Sequence, residues 1–139
     1  MEYRANRFDA VVPDAWRDDT VHRFTSPDGE ECITIRIEHR AADIPLDDRL
    51  REKTATVREG VLGARLVSSG EARLGGGEAR RFVVEGLRGD EVVMIYAAFL
   101  ARWGERRLLM LEYEGPATRW GQAELQLQRT ADSLRRRDV

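Results

Sequence analysis

The sequence predicts an α+β fold, an antiparallel β-sheet of about six to seven strands flanked by helices. Three observations support this fold class. Residues 92–100 are apolar at every position, which is typical of a strand covered on both faces, since successive side chains point to opposite faces. Residues 31–38 alternate apolar and polar side chains, as in a half-buried strand. Residues 46–61 and 120–134 repeat apolar side chains at helical spacing.

Turn-forming residues separate these elements. Pro13 ends the first predicted strand, because proline cannot donate a hydrogen bond to a strand ladder. Ser26-Pro27-Asp28-Gly29, Gly75-Gly76-Gly77 and Arg88-Gly89-Asp90 are turn sequences, and Gly115-Pro116 ends the last strand. In chain order, the predicted elements are strands at 3–12, 20–24 and 31–38, a helix at 46–61, strands at 66–74, 79–87, 92–100 and 108–113, and a helix at 120–134.

Length and composition favour one globular domain spanning residues 1–139. The 25 acidic and 23 basic residues give a net charge of −2, which gives no support for nucleic-acid binding, since that needs a basic face. The N-terminal residues lack the apolar core of a signal peptide. No uncharged apolar run reaches the roughly 18 residues of a membrane-spanning helix. We therefore expect a cytoplasmic protein that does not insert directly into a membrane.

No catalytic constellation emerges from the sequence. His22 lies in a short predicted strand and His39 ends another, so surface or packing roles are favoured over catalysis or metal binding. The single Cys32 excludes an internal disulfide and a cysteine-rich zinc site. The residues after Gly75-Gly76-Gly77 predict a strand, whereas a nucleotide-binding glycine loop opens a helix and, in its Walker form, carries a lysine. We therefore expect a non-enzymatic protein with no cofactor and no metal site.

Ala97 and Ala98 are small residues in a strand otherwise built from large side chains. They leave a shallow depression on each face of that strand, because neighbouring residues point to opposite sides. Small residues let another backbone approach closely. Two occupants remain open for these depressions: the helices of the protein itself, or a segment of a partner.

The order of motifs resembles the DcrB-related family. Early in the chain the shared residues are Phe8, Val12-Pro13, Trp16-Arg17-Asp18, Phe24, Ser26-Pro27-Asp28-Gly29 and Ile33-Thr34-Ile35. Late in the chain they are Leu109-Met110-Leu111-Glu112-Tyr113-Glu114-Gly115-Pro116 and Trp120. The likeness spans nearly the whole chain in order and spacing. It implies a Mog1/PsbP-like fold, which agrees with the element order above.

Members of this family without a signal peptide include the effector-associated (Eag) chaperones of type VI secretion. The resemblance implies a non-catalytic protein, often a homodimer, whose concave sheet face holds apolar transmembrane helices of an effector before export. On this basis, the predicted partner-binding residues are Val21, Arg23, Thr34, Arg36, Ile95, Ala97 and Phe99. Charges at Arg23 and Arg36 are costly to desolvate against an apolar helix. Either the chain lies at an edge of the family, or its client is more acidic.

Two functions of different classes follow. The first is a chaperone or adaptor that binds and shields the apolar N-terminal segment of a secreted effector. The alternative is a small-ligand-binding or regulatory protein-interaction domain with no apolar client. An enzyme ranks third, because no nucleophile, base and orienting group can be assembled from the sequence.

Overall fold

A computed structural model describes residues 2–4, 9–11, 13, 20–39, 44–89, 91–104 and 106–135. Its elements in chain order are β1 (Glu2–Arg4), β2 (Asp9–Val11), β3 (Val21–Thr25), β4 (Cys32–His39), α1 (Leu46–Gly60), β5 (Leu62–Leu74), β6 (Gly77–Arg88), β7 (Val92–Arg102), β8 (Arg107–Pro116), a 3₁₀ turn (Ala117–Arg119) and α2 (Trp120–Ser133). Among the described residues, six strands form one antiparallel sheet in the order β3-β4-β8-β7-β6-β5, and β1 and β2 form a separate pair. The predicted α+β class is confirmed.

Strand β7 lies inside the sheet, between β8 and β6. This confirms the prediction that residues 92–100 form an interior strand with residues 108–113 beside it. An edge position would leave such an apolar strand open to pairing with other molecules. Along β7 and β8, alternation sends odd-numbered side chains to one face of the sheet and even-numbered side chains to the other.

One helix packs on each face, and we call the two faces the α1 side and the α2 side. Helix α1 packs against β5, β6 and β7, whereas α2 crosses from β8 towards the end of β5. The buried α2-side cluster includes Ile95, Ala97, Phe99, Leu109, Leu111 and Tyr113 with Ala123, Leu127 and Ala131 of α2. The buried α1-side cluster includes Phe82, Val84, Ala98, Leu100, Leu108 and Met110 with Leu46 of α1. The core is therefore two layers separated by the sheet.

The triple glycine forms the hairpin turn between β5 and β6. Gly75 and Gly76 have φ values of 58° and 83°, and they connect the paired residues Leu74 and Gly77. Positive φ at both central residues is the requirement of a type I′ turn, which glycine meets without steric cost. The prediction of a hairpin rather than a phosphate-binding loop is confirmed.

Three predicted boundaries differ from those in the structure. In the described part of the strand predicted at residues 3–12, the structure has two short strands, β1 and β2, which pair antiparallel. Strand β5 begins at Leu62 rather than at residue 66, since its first residues still pair with β6 through two register shifts. Helix α1 ends at Gly60, one residue before the predicted end.

Candidate functional site

The seven predicted partner-binding residues do not share one face, so that part of the prediction is wrong. Thr34 lies opposite Glu112, which lies opposite Ala98, and this row of side chains is on the α1 side. Ile95 belongs to the buried cluster on the α2 side. In the strand pairs, Val21 is opposite Arg36 and Arg23 is opposite Thr34, so all four lie on the α1 side. The set divides into four residues on the α1 side and Ile95, Ala97 and Phe99 on the α2 side.

Helix α2 covers the second group. Ile95, Ala97 and Phe99 are 3%, 3% and 2% exposed, and they pack in one cluster with Ala123 and Leu127 of α2. The depression expected at Ala97 is therefore filled by the protein's own helix. A binding role for these three side chains remains a prediction, and it requires α2 to move aside.

The depression at Ala98 opens into a cleft on the α1 side. Helix α1 covers β5, β6 and β7, and a cavity of about 140 Å³ lies between the helix and strands β4 and β8. We call this cavity the α1 cleft. Its lining includes Cys32, Thr34, Arg36, Lys53, Thr56, Val57, Phe82, Tyr96, Ala98, Met110, Glu112 and Glu114. Three of the predicted residues, Thr34, Arg36 and Ala97, are among its lining.

Two ion pairs border the α1 cleft. Arg36 Nε donates to Glu112 Oε1 at 2.7 Å, across the β4–β8 ladder. Lys53 Nζ of α1 donates to Glu38 Oε2 of β4 at 2.6 Å, which ties the helix to the far strand. The Arg36 and Glu112 side chains keep 38% and 33% exposure, so water screens much of their attraction. Both cations that line the cleft therefore already have carboxylate partners.

The other end of the α1 cleft carries Tyr96 and Glu114. These two residues lie opposite each other on β7 and β8, and Cys32 of β4 is the next residue in the same row. Burial raises the pKa of the Tyr96 phenol, and the charge of Glu114 raises it further. Arg23 of the edge strand donates from Nε to the Cys32 sulfur at 3.0 Å. This end of the cleft combines an aromatic ring, a carboxylate and a thiol.

A second cavity lies on the α2 side, between the β3–β4 turn and the start of α2. It measures about 260 Å³, and its lining includes Phe24, Pro27, Ile33, Tyr113, Ala123 and Gln126. Phe24 is 56% exposed at its edge. Tyr113 Oη donates to Glu31 Oε2 at 2.8 Å, and Arg119 pairs with both Glu31 and Asp28, which holds the turn against the helix end. We call this cavity the Phe24 groove.

The histidine and cysteine considered in the sequence, His22 and Cys32, lie on different faces of the sheet. Within the described residues, no group of three or more His, Cys, Asp and Glu side chains is placed to hold a metal ion. His22 lies opposite Ile35 and therefore faces the α2 side, whereas Cys32 is on the α1 side. No helix among the described residues is long and apolar enough to cross a membrane. What the α1 cleft offers chemically is an apolar floor with charged groups at its rim.

Sequence reasoning missed most of the cleft residues, among them Tyr96, Glu112 and Glu114. One signal was present, because β8 changes from continuous apolar residues to an alternation of Leu111, Glu112, Tyr113 and Glu114. That alternation places carboxylates on one face of an interior strand. The pairing of β8 with β4 decides which strand residues face those carboxylates, and residue patterns do not contain that register.

Comparison with known proteins supports the fold. No family model and no curated protein matches this sequence. Among solved structures, protein PA94 of Pseudomonas aeruginosa, a candidate regulator of unknown function, superposes with a TM-score of 0.77 at 17% identity, covering 100% of this chain and 98% of that chain. LpqN of Mycobacterium tuberculosis, which is involved in cell envelope biogenesis, gives a TM-score of 0.59 at 14% identity, over 78% of this chain and 64% of that chain.

A third similar structure identifies the fold type. Cyanobacterial PsbP (CyanoP) from Synechocystis sp. PCC 6803 gives a TM-score of 0.54 at 11% identity, covering 89% of this chain and 96% of that chain. The predicted Mog1/PsbP-like fold is therefore confirmed. At these identities the likeness concerns the fold, and function has to be argued from the site.

Proposed function

We propose that the protein is a non-enzymatic binding module that holds a small ligand in the α1 cleft. The observation that carries this proposal is the cavity above Ala98, which is 2% exposed and is the smallest side chain in the row formed by Phe82, Ala98, Glu112 and Thr34. Large residues on either side and α1 above it enclose that cavity over an apolar floor. Apolar surroundings with a few convergent polar groups are the usual composition of small-molecule sites.

The size of the α1 cleft limits the ligand. Its volume of about 140 Å³ is similar to that of an engineered cavity, about 150 Å³, that binds benzene. A single ring or a short branched chain fits this space, whereas a whole helix does not. The polar rim also disfavours a purely apolar occupant, because the charges of Arg36, Glu112 and Glu114 would lose water without gaining partners.

Fragment binding followed by protein NMR tests this proposal. We expect small cyclic fragments to shift the backbone amides of Thr34, Ala98 and Glu112, and Ala98→Leu to abolish those shifts by filling the floor. Thr56→Phe, at an exposed position lining the α1 cleft, should weaken binding without touching the core. Ala55→Leu, on the exposed face of the same helix, is the matched control and should bind as the wild type does. Fragments that bind Ala98→Leu and Thr56→Phe as well as the wild type would show that the cleft is not the site.

A second candidate function is the chaperone role, favoured by the Phe24 groove. The resemblance to the DcrB-related family and its Eag chaperones suggests an apolar N-terminal segment of a type VI secretion effector as the client, in the cytoplasm. The mostly apolar lining of the Phe24 groove and the exposed Phe24 support an apolar client on the α2 side. A homodimer would lengthen the surface available to such a segment, and two-fold dimers are the commonest assembly.

Co-expression tests the chaperone role directly. The client segment would be the apolar N-terminus of an effector encoded next to this protein. Phe24→Glu should reduce the amount of that segment that co-purifies, since it places a charge in the apolar groove. Val67→Glu, at an exposed position of the opposite edge strand, is the control. Equal recovery with both variants would contradict the chaperone role, and sedimentation showing only monomer would contradict the dimer.

A further inference from the structure

The charge distribution of the α1 cleft determines which ligands it suits. We propose that the α1 cleft selects organic ammonium cations, with Glu114 as the carboxylate that pairs with the ammonium group. This inference rests on the proposed function, because it names the chemical class of the ligand for the same site.

Glu114 is the first part of the argument. It lines the α1 cleft and is partly buried, and within the described part of the chain nothing forms a hydrogen bond or ion pair with its carboxylate. The other cleft carboxylate, Glu112, accepts from Arg36 at 2.7 Å. A partly buried carboxylate without a hydrogen-bonded partner has lost some of its water, so a cation placed beside it gains a charge-assisted hydrogen bond.

The cations of the cleft supply the second part. An anionic ligand needs a free guanidinium or ammonium group, but Arg36 is paired with Glu112 and Lys53 is paired with Glu38. Binding an anion would break one of these pairs and leave its carboxylate exposed to the ligand's charge. Two further arginines interact electrostatically with this end of the cleft: Arg23 with Glu114, and Arg88 with Tyr96. Both are exposed to solvent. Water and salt screen these two charges more than the partly buried Glu114.

The surroundings of Glu114 supply the third part. Tyr96 is directly opposite Glu114 in the β7–β8 ladder, and an aromatic ring attracts a cation by its negative face. The next row along the sheet brings Ala98 and Phe82, which give an apolar floor for the body of the ligand. A primary amine on a single ring or short branched chain therefore matches both ends of the cleft.

Three single-ring probes of similar size test the charge preference: benzylamine, benzyl alcohol and benzoate, titrated into the wild-type protein and followed by the amide shifts of the cleft. We expect benzylamine to bind at least about tenfold more tightly than the other two, as a charge-assisted hydrogen bond implies. Glu114→Gln should remove that preference while leaving benzyl alcohol binding unchanged. Arg23→Ala should tighten benzylamine binding, since it removes a competing cation. Glu71→Gln, an exposed carboxylate on β5, is the charge-matched control.

The outcomes separate this inference from the proposed function. Benzyl alcohol or benzoate binding as tightly as benzylamine would overturn the cation preference and leave a small-ligand cleft in place. Retention of the benzylamine preference in Glu114→Gln would overturn the role of Glu114. Failure of all three probes to shift any cleft amide would contradict the inference and the proposed function together.

Discussion

Ala97 and Ala98 are neighbours in β7 and are 3% and 2% exposed, but Ala97 packs beneath α2 whereas Ala98 packs in the α1-side cluster at the floor of the α1 cleft. Their side chains point to opposite faces because of the pleat of the strand. The faces differ because α2 packs over Ala97, whereas α1 leaves a cavity between itself and strands β4 and β8. The same residue type therefore lies in a filled core on the α2 side and beneath a cavity on the α1 side.

Ala97→Arg should unfold or strongly destabilise the protein. Ala97 is 3% exposed and lies opposite Val83 and Tyr113, so an arginine there would bury an unpaired charge in a filled core. We expect the free energy of unfolding to fall by more than about 3 kcal/mol. Val93→Arg, on the same face of the same strand but 40% exposed, should cost less than about 1 kcal/mol. Urea unfolding measures both, and a stable Ala97→Arg protein would mean that α2 is readily displaced.

Gly86→Ala should destabilise the β5–β6 pair. A Cβ atom at Gly86 would lie 2.0 Å from Cγ1 of Val61, which follows α1 directly. Overpacking of this kind costs about 1–3 kcal/mol. Val61→Ala removes the obstructing methyl group, so the double variant should lose less stability than the sum of the two single variants. Strict additivity in thermal unfolding would show that the backbone moves apart instead.

Thr54→Val should raise stability. Thr54 of α1 is 8% exposed, and its hydroxyl is one of two buried side-chain polar atoms within the described residues that have no hydrogen-bond partner. Valine has the same shape and a similar helix propensity, so the change removes an unsatisfied group and is expected to add about 1 kcal/mol. Thr130→Val is the control, because its hydroxyl donates to the Gln126 carbonyl at 3.1 Å. A loss of stability in Thr54→Val would indicate a bound water at that hydroxyl.

Stability should depend on Asp28 at acidic pH. The Arg119 guanidinium, 2.5 Å away, lowers the pKa of the Asp28 carboxyl far below its ordinary 3.8, with help from the Glu30 N–H and the Ser26 hydroxyl. A carboxyl whose pKa is lower in the folded state stabilises the fold above its unfolded pKa, and that contribution decreases as pH falls through the folded pKa. The stability difference between wild type and Asp28→Asn should therefore be constant above about pH 4 and shrink below it.

Chemical unfolding at a series of pH values measures this difference. In an Arg119→Gln background the effect of Asp28→Asn should be smaller, because the largest cause of the lowered pKa has been removed. A difference that grows as the pH is lowered would have the wrong sign and would contradict the assignment.

The sequence was informative where hydrophobicity alone decides the structure. Residues 92–100 are apolar on both faces, and only an interior strand satisfies that pattern. The helix predicted at 46–61 and the glycine turn at 75–77 could be predicted equally well, because helical spacing and the tolerance of glycine for positive φ are local properties of the sequence. The pairing of β1 with β2 was missed, since strands of three residues are too short to show an alternating pattern.

The site was harder to predict from the sequence than the fold, because its residues are brought together by the register of the strands. The sequence prediction places Thr34 and Ile95 on one face, but the pairing of β4 with β8 and of β8 with β7 puts them on opposite faces. A shift of one residue in either pairing would have reversed the result. Which half of each face a helix covers is likewise decided by tertiary packing and not by the amphipathic pattern of the helix.

The order of the strands also has a consequence for how the molecule folds. Strands β5 to β8 pair in chain order and form a meander of hairpins. Strand β4 pairs only with β3 and with the distant β8, so the Arg36–Glu112 hydrogen bond joins residues 76 positions apart in the chain. Closing so long a loop costs entropy that hairpin formation avoids, so the meander is expected to assemble first and the β3–β4 hairpin to dock last. Because β4 and β8 form one wall of the α1 cleft, that cavity is completed only in the final folding step. In native-state hydrogen exchange, the amides of β3 and β4 should therefore exchange with a lower opening free energy than those of the meander.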